Sequence, residues 1–285
     1  MKKKPPKKAV KEKKRVGRIL SPKEPRPFRL ENEKGRGSGL ILCDHASLRV
    51  PKALKDLGLT KKDLQRHIGW DIGAEDISRA LGKMLDMPVL LASYSRLVVD
   101  LNRAPEHSES VMDESDGVKI PANTALSKQA RAQRLKEIFV PYQKQVGKQV
   151  DRFTSKKRVP LLIAVHSFTP TLGGKKRPWH IAVLWNKQEE IARTLISGIR
   201  KAHPGLLVGE NEPYSLKDGR FKGSTIDNHA EKRGLPYVFV EFRQDLVDTK
   251  EKAARWADIF TRALRAVLEN PETFRPEKTG RGKNK

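Results

Sequence analysis

The run VPLLIAVHS (159–167) is the most apolar stretch of the chain, and it stops abruptly at a histidine and a serine. Continuous rather than alternating apolar character over so few residues marks a central strand buried on both faces. Other stretches repeat the pattern: GLILCDH (39–45), PVLLASY (88–94), IAVLWN (181–186), LLVGEN (206–211) and YVFVEFR (237–243). RLVVDLNR (96–103), its apolar centre bracketed by charge, reads as one more strand. Helical patterns lie between them. In 60–86, Thr60 is an N-cap with Asp63 three residues on, and Ile68, Ile72, Ile77 and Leu81 form an apolar stripe. Residues 127–153, 188–202 and 250–269 are also helical, while 104–123 is a long loop of the kind that carries function. The alternation predicts an α/β fold, a mixed and mostly parallel sheet flanked by helices. Sites in such sheets lie outside the carboxyl ends of the strands.

Charge divides the chain differently. Of the net +25, residues 1–37 contribute +11 and residues 271–285 contribute +3, which leaves a milder excess for 38–270. The first segment is proline-rich, poor in apolar residues and without period, so it cannot offset the entropy of ordering. The expected organisation is a disordered basic tail at 1–37, a catalytic domain at 38–270 and a second disordered basic tail at 271–285. Lys-rich tails can contact nucleic acid through phosphates, but no aromatics are interleaved with these lysines and no binding module adjoins them. No stretch has the apolar length of a signal peptide or a membrane span. Cys43 is the single cysteine, which excludes an internal disulfide and suits a reducing, cytoplasmic setting.

The strand ends carry the chemistry: Asp44 and His45, Asn102 and Arg103, His166 and Ser167, then Glu241, Arg243 and Asp245. Any one of these has an ordinary structural explanation. Together at one sheet edge they are costly to bury unless a metal or a substrate pairs with them. Two histidines and a carboxylate make an open zinc site that keeps one position for water. A further carboxylate then moves the proton, and Glu241 is the candidate base. Arg103 suits a substrate carboxylate through its two-pronged guanidinium. The third metal ligand is Asp71 or His67, spaced i and i+4 in HIGWD on one helical face. An i,i+4 His–Asp pair is equally a plain helix stabiliser, and Asp71 can instead orient a ligating histidine.

With these motifs in hand, the chain resembles the N-formylglutamate amidohydrolase family. The stretches that carry the resemblance are CDHAS (43–47), HIGWDIGA (67–74), YSRLVVDLNRAP (94–105), VHSFTP (165–170), RPWH (177–180), NEPYS (211–215) and PYVFVEFRQDL (236–246). A more distant similarity, through DLNR (100–103), His166 and VFVEFRQD (238–245), is to the zinc carboxypeptidases. These resemblances imply a zinc-exopeptidase-like three-layer sandwich. They also imply one catalytic zinc on His45, His166 and, in place of the carboxypeptidases' glutamate, Asp71. Glu241 is then the base, and Asn102 and Arg103 bind substrate. Arg96 is a candidate for a second substrate carboxylate, and Tyr214 for closing over the ligand. Two departures stand out: Leu48 occupies the position of the carboxypeptidases' ligand glutamate, and PYQ (141–143) replaces the family's common PYH. The activity so implied is hydrolysis of an acidic N-acyl amino acid, N-formyl-L-glutamate foremost. The rivals are a zinc amidase or carboxypeptidase on a peptide or cell-wall fragment, and an inactive basic-tailed binding protein.

Overall fold

The computed structural model describes residues 17–275. A seven-stranded sheet runs through it in the order β1-β3-β2-β6-β11-β9-β10. Its strands are β1 (Phe28–Glu31), β2 (Gly39–Cys43), β3 (Val89–Ala92), β6 (Leu161–Phe168), β9 (Ile181–Leu184), β10 (Val208–Glu210) and β11 (Tyr237–Arg243). Two small hairpins, β4 (Glu114–Ser115) with β5 (Val118–Lys119) and β7 (Thr171–Leu172) with β8 (Lys175–Lys176), stand apart from it. β3, β2, β6 and β11 are mutually parallel, β1 and β9 join antiparallel, and β9 and β10 are parallel. The sheet is therefore mixed and mostly parallel, as the continuous apolar strands require.

Side chains of successive strand residues feed two cores. On one face, Ile41, Ile163, Val165, Val238 and Val240 pack with residues of α2 (Ala74–Met84), α5 (Glu189–Ala202) and α7 (Lys250–Glu269), among them Leu81, Leu195 and Phe260. On the other, Leu42, Leu162, Ala164 and Phe239 meet Tyr142, Val146 and Val150 of α4 (Val140–Thr154). α4 continues α3 (Lys128–Arg134) through a π-helical segment at Leu135–Phe139. Two short helices, α1 (Lys61–Gln65) and α6 (Thr225–His229), complete the set.

Three expectations need correction. The helix expected over 60–86 is interrupted. Thr60 and Asp63 do form a reciprocal capping box, but α1 ends at Gln65 and α2 begins at Ala74. Gly69 and Gly73 make the break: a Cβ on Gly69 would lie 2.4 Å from the Leu64 carbonyl oxygen, and Gly73 has φ +81°. His67 and Asp71 therefore share a loop, not a helical face. The segment 96–103 is not a strand. Its apolar residues Leu97, Val98, Val99 and Leu101 are buried, but in a turn in which the Val98 N–H donates to the Ser95 carbonyl at 3.0 Å.

Finally, part of the expected N-terminal tail is ordered. Phe28–Glu31 pairs with Val89–Ala92, and Ile19 and Leu20 are buried with their N–H groups on the Glu137 carboxylate. Charge masked the few apolar residues that this edge strand needs. At the other end, Pro271–Phe274 forms a 3-10 turn. The rest of the two expected tails, 1–16 and 276–285, lies outside the described residues. Among the described residues, no helix is long and apolar enough to cross a membrane.

Candidate metal centre

β2, β6 and β11 end side by side at one edge of the sheet. His166 on β6 and Glu241 on β11 are partners in the parallel register, so both side chains leave the sheet on the same face. His45 follows β2 directly. Asp71 comes from the loop between α1 and α2, which is tied to this edge by the Asp71 N–H donating to the His45 carbonyl at 3.0 Å. The strand-end convergence expected from the sequence is therefore real for these residues.

One oxygen of Asp71 is the focus of the site. Oδ2 lies 2.8 Å from His166 Nδ1 and 3.2 Å from His45 Nδ1. One ligand atom from each of His45, Asp71 and His166 falls within 4.8 Å of the others, and all three residues are buried. The outer nitrogens face further carboxylates. His45 Nε2 is 2.8 Å from Asp100 Oδ1, and His166 Nε2, otherwise unpartnered, is 3.9 Å from Asp44 Oδ2. Tyr142 holds Asp44 in place by donating its hydroxyl to Oδ1 at 2.6 Å. Phe239 stacks on the His166 ring at 4.7 Å with the planes 7° apart.

Electrostatics follow from this crowding. Burial and Arg96 disfavour a charged His45, yet Asp100 and Asp71 outweigh them and lift its pKa to about 9. Burial works against a charged Asp71 as well, but His45 and His166 hold its pKa far below the usual carboxylate range. Glu241 goes the other way. Burial pushes it up to about 7, with Asp71 adding to the rise and His166 opposing it. Its Oε2 is buried and has no hydrogen-bond partner among the described residues. Glu241 is thus a buried carboxylate raised toward neutrality beside two histidines and an aspartate.

A cavity of about 220 Å³ opens over these groups, lined by His45, Asp71, His166 and Glu241 together with Arg96, Asn102, Arg103, Tyr214 and others. All eight residues expected at the site from the sequence thus share one pocket. Their surroundings differ from expectation in two cases. Arg96 is held by the chain itself, Nη2 donating to Asp100 Oδ2 at 2.7 Å and Nη1 to Asp71 Oδ1 at 3.5 Å. Tyr214 accepts a hydrogen bond from Arg177 Nη1 at 3.0 Å, with that guanidinium over its ring. Arg103 lies against the Phe221 ring and pairs with Glu109, and the Oδ1 of Asn102 is buried without a partner. His67 lines the outer pocket, where its Nε2 is 3.5 Å from Asp116, away from the His45–Asp71–His166 group. Of the two alternatives, Asp71 is the residue that lies with His45 and His166 in this group, and His67 does not.

Asp100, Glu109 and Phe221 had no part in the sequence reading. Asp100 sat in plain view within DLNR, but a strand reading of that segment gave its side chain no partner. Gln143, where the family's histidine is common, lies behind the pocket: its Nε2 donates to the Leu101 carbonyl at 2.9 Å and its Oε1 accepts from His229 Nε2 at 2.8 Å.

No protein of curated function matches the sequence. The gene product Atu2144 from Agrobacterium tumefaciens is similar in structure at a TM-score of 0.83 and 29% identity, over 88% of this chain and 99% of that one. The N-formylglutamate amidohydrolase from Ralstonia eutropha JMP134 is similar in fold at a TM-score of 0.62 and 15% identity, over 85% of this chain and 97% of its own. The family model described as N-formylglutamate amidohydrolase matches residues 38–247, which takes in every residue of the pocket's centre. The chain belongs to the N-formylglutamate amidohydrolase family.

Proposed function

We propose that the protein is a zinc-dependent amidohydrolase acting on an N-acyl amino acid, with N-formyl-L-glutamate as the substrate the family points to. The carrying observation is the Asp71 oxygen shared by two buried histidines, with the unpartnered Glu241 carboxylate in the same pocket. The donor set fits the metal. Two imidazoles and one carboxylate suit zinc, and the ligand histidines have carboxylates behind them in the manner of metal-bound histidines.

His45, Asp71 and His166 would hold the ion. When bound, it would polarise the scissile carbonyl and acidify a water. Glu241 takes the proton of the attacking water and hands it to the departing amine, a task suited to a carboxylate raised toward neutrality. Asn102 and Arg103 receive the substrate carboxylate, and Tyr214 walls the pocket. Arg96 balances the charge of Asp100 and Asp71, a better use of its two contacts than holding a second substrate carboxylate.

The test is formate release from N-formyl-L-glutamate by purified protein before and after chelation, with zinc added back. Release that chelation abolishes and zinc restores supports the proposal. Metal-loaded protein that frees no amine from any N-formyl or N-acetyl amino acid would refute it.

A further inference from the structure

The geometry points to Glu109 as a built-in stand-in for the substrate carboxylate, a residue that competes with acidic substrates for Arg103 and so sets the pocket's selectivity. This rests on Arg103 being the substrate's carboxylate site, as proposed above.

Glu109 belongs to the short 3-10 turn Ser108–Val111 and lines the same cavity as Arg103. Its Oε2 accepts from Arg103 Nε at 2.9 Å. The partners differ in exposure, 9% for the Arg103 side chain against 39% for Glu109, so solvent or a ligand can reach the carboxylate without unpacking the arginine. Arg103 itself is fixed by Nη1 donating to the Asn102 carbonyl at 2.9 Å and by the Phe221 ring 4.9 Å from its guanidinium carbon. The immobile partner is the cation, and the displaceable one is the anion.

The turn that presents Glu109 is tied down. Its N–H donates to His107 Nδ1 at 3.1 Å, and Arg131 Nη2 donates to the carbonyls of Pro105 at 2.9 Å and His107 at 3.0 Å. The anchored turn keeps the Glu109 carboxylate within reach of Arg103, while its exposed side chain is free to swing aside. The pairing uses one nitrogen and one oxygen, whereas a free carboxylate can take two N–H groups of a guanidinium at once. An acidic ligand therefore wins the exchange, and a ligand without that carboxylate finds Arg103 already neutralised. With Arg96 committed to Asp100 and Asp71, Glu109 governs the arginine to which the substrate carboxylate is assigned.

The experiment is a double-mutant cycle on the full chain, read as the Kd of L-glutamate by titration calorimetry in wild type, Glu109→Gln, Arg103→Gln and the double variant. Removing the competitor is expected to tighten binding about threefold, the scale of a partly exposed ion pair. Arg103→Gln is expected to weaken binding tenfold or more, and Glu109→Gln to have no further effect in that background. If Arg103→Gln does not fold, Arg103→Lys replaces it, keeping the charge and losing the fork. Unchanged or weaker binding in Glu109→Gln, while Arg103→Gln binds poorly, would show that Glu109 supports Arg103 and would overturn the inference alone. Equal tightening in both backgrounds would reduce Glu109 to a general negative charge and overturn it too. Unchanged binding in Arg103→Gln, or no glutamate binding by wild type, would remove the substrate assignment beneath it.

Discussion

Asp71 Oδ2 accepts the attention of two imidazole nitrogens, and each of those rings turns its other nitrogen toward a second carboxylate. Asp100 matters most among these outer partners because it touches both His45 and Arg96. Asp100→Asn keeps the shape but loses the charge that orients His45, and zinc affinity should fall about 10- to 100-fold in competition with a chromophoric chelator. On the proposed mechanism, Glu241 sets the acid limb of the rate. Its pKa is raised, so the unprotonated base appears only as pH climbs through about 7, and kcat/KM should rise with pH over that interval. A bound cation nearby favours the carboxylate, so the midpoint in the zinc-loaded enzyme should lie below 7; a pH–rate profile that falls across this range would contradict the role. His45, His166 and Glu241 were legible in the sequence because each ends or interrupts an otherwise apolar run. Asp100 was not, since its role depends on a turn that apolar spacing cannot reveal.

At the scale of elements, the central strands of the sheet and the helices 188–202 and 250–269 followed from apolar pattern. YVFVEFR (237–243) and the helix 250–269 match the structure residue for residue. The loops that complete the site did not, because side chains hold them. Arg134 is buried on α3 and donates to the Val98 carbonyl at 3.0 Å, the Ala122 carbonyl at 3.3 Å and Asn123 Oδ1, while Asn123 donates to the Leu97 carbonyl at 2.9 Å. Together they clasp both ends of the segment that carries Asp100, Asn102, Arg103 and Glu109. Burial and the nearby Arg131 bring the Arg134 pKa down to about 10, still charged at neutral pH. Arg134→Ala leaves several buried carbonyls without a donor and should cost on the order of 3 kcal/mol in chemical denaturation, with a marked rise in KM as Arg103 loses its seat. An unchanged midpoint and KM would show that the segment holds itself.

For the molecule as a whole, charge and fold are separable. Residues 38–247 carry the family match and the pocket, and the strongly basic stretch 1–16 precedes that match in sequence. Deleting 2–16 should leave kcat/KM for N-formyl-L-glutamate within about twofold and lower only the salt-sensitive affinity for polyanions. Deleting through residue 31 is different. It strips β1 from the sheet edge, removes the Arg79–Glu31 ion pair and frees the Glu137 carboxylate, so the melting temperature should drop by several degrees. Net charge hid this segment from sequence reading, as a strand of four half-buried residues has too little apolar signal to register.

The most direct measurement is the zinc content of purified protein by mass spectrometry after exhaustive dialysis, for wild type beside Asp71→Ala and Glu241→Gln. About one zinc per chain is expected in wild type and Glu241→Gln, and little in Asp71→Ala, with hydrolysis lost in both variants. Stoichiometric zinc retained in Asp71→Ala, or undiminished hydrolysis by Glu241→Gln, would contradict a His45–Asp71–His166 metal centre served by Glu241.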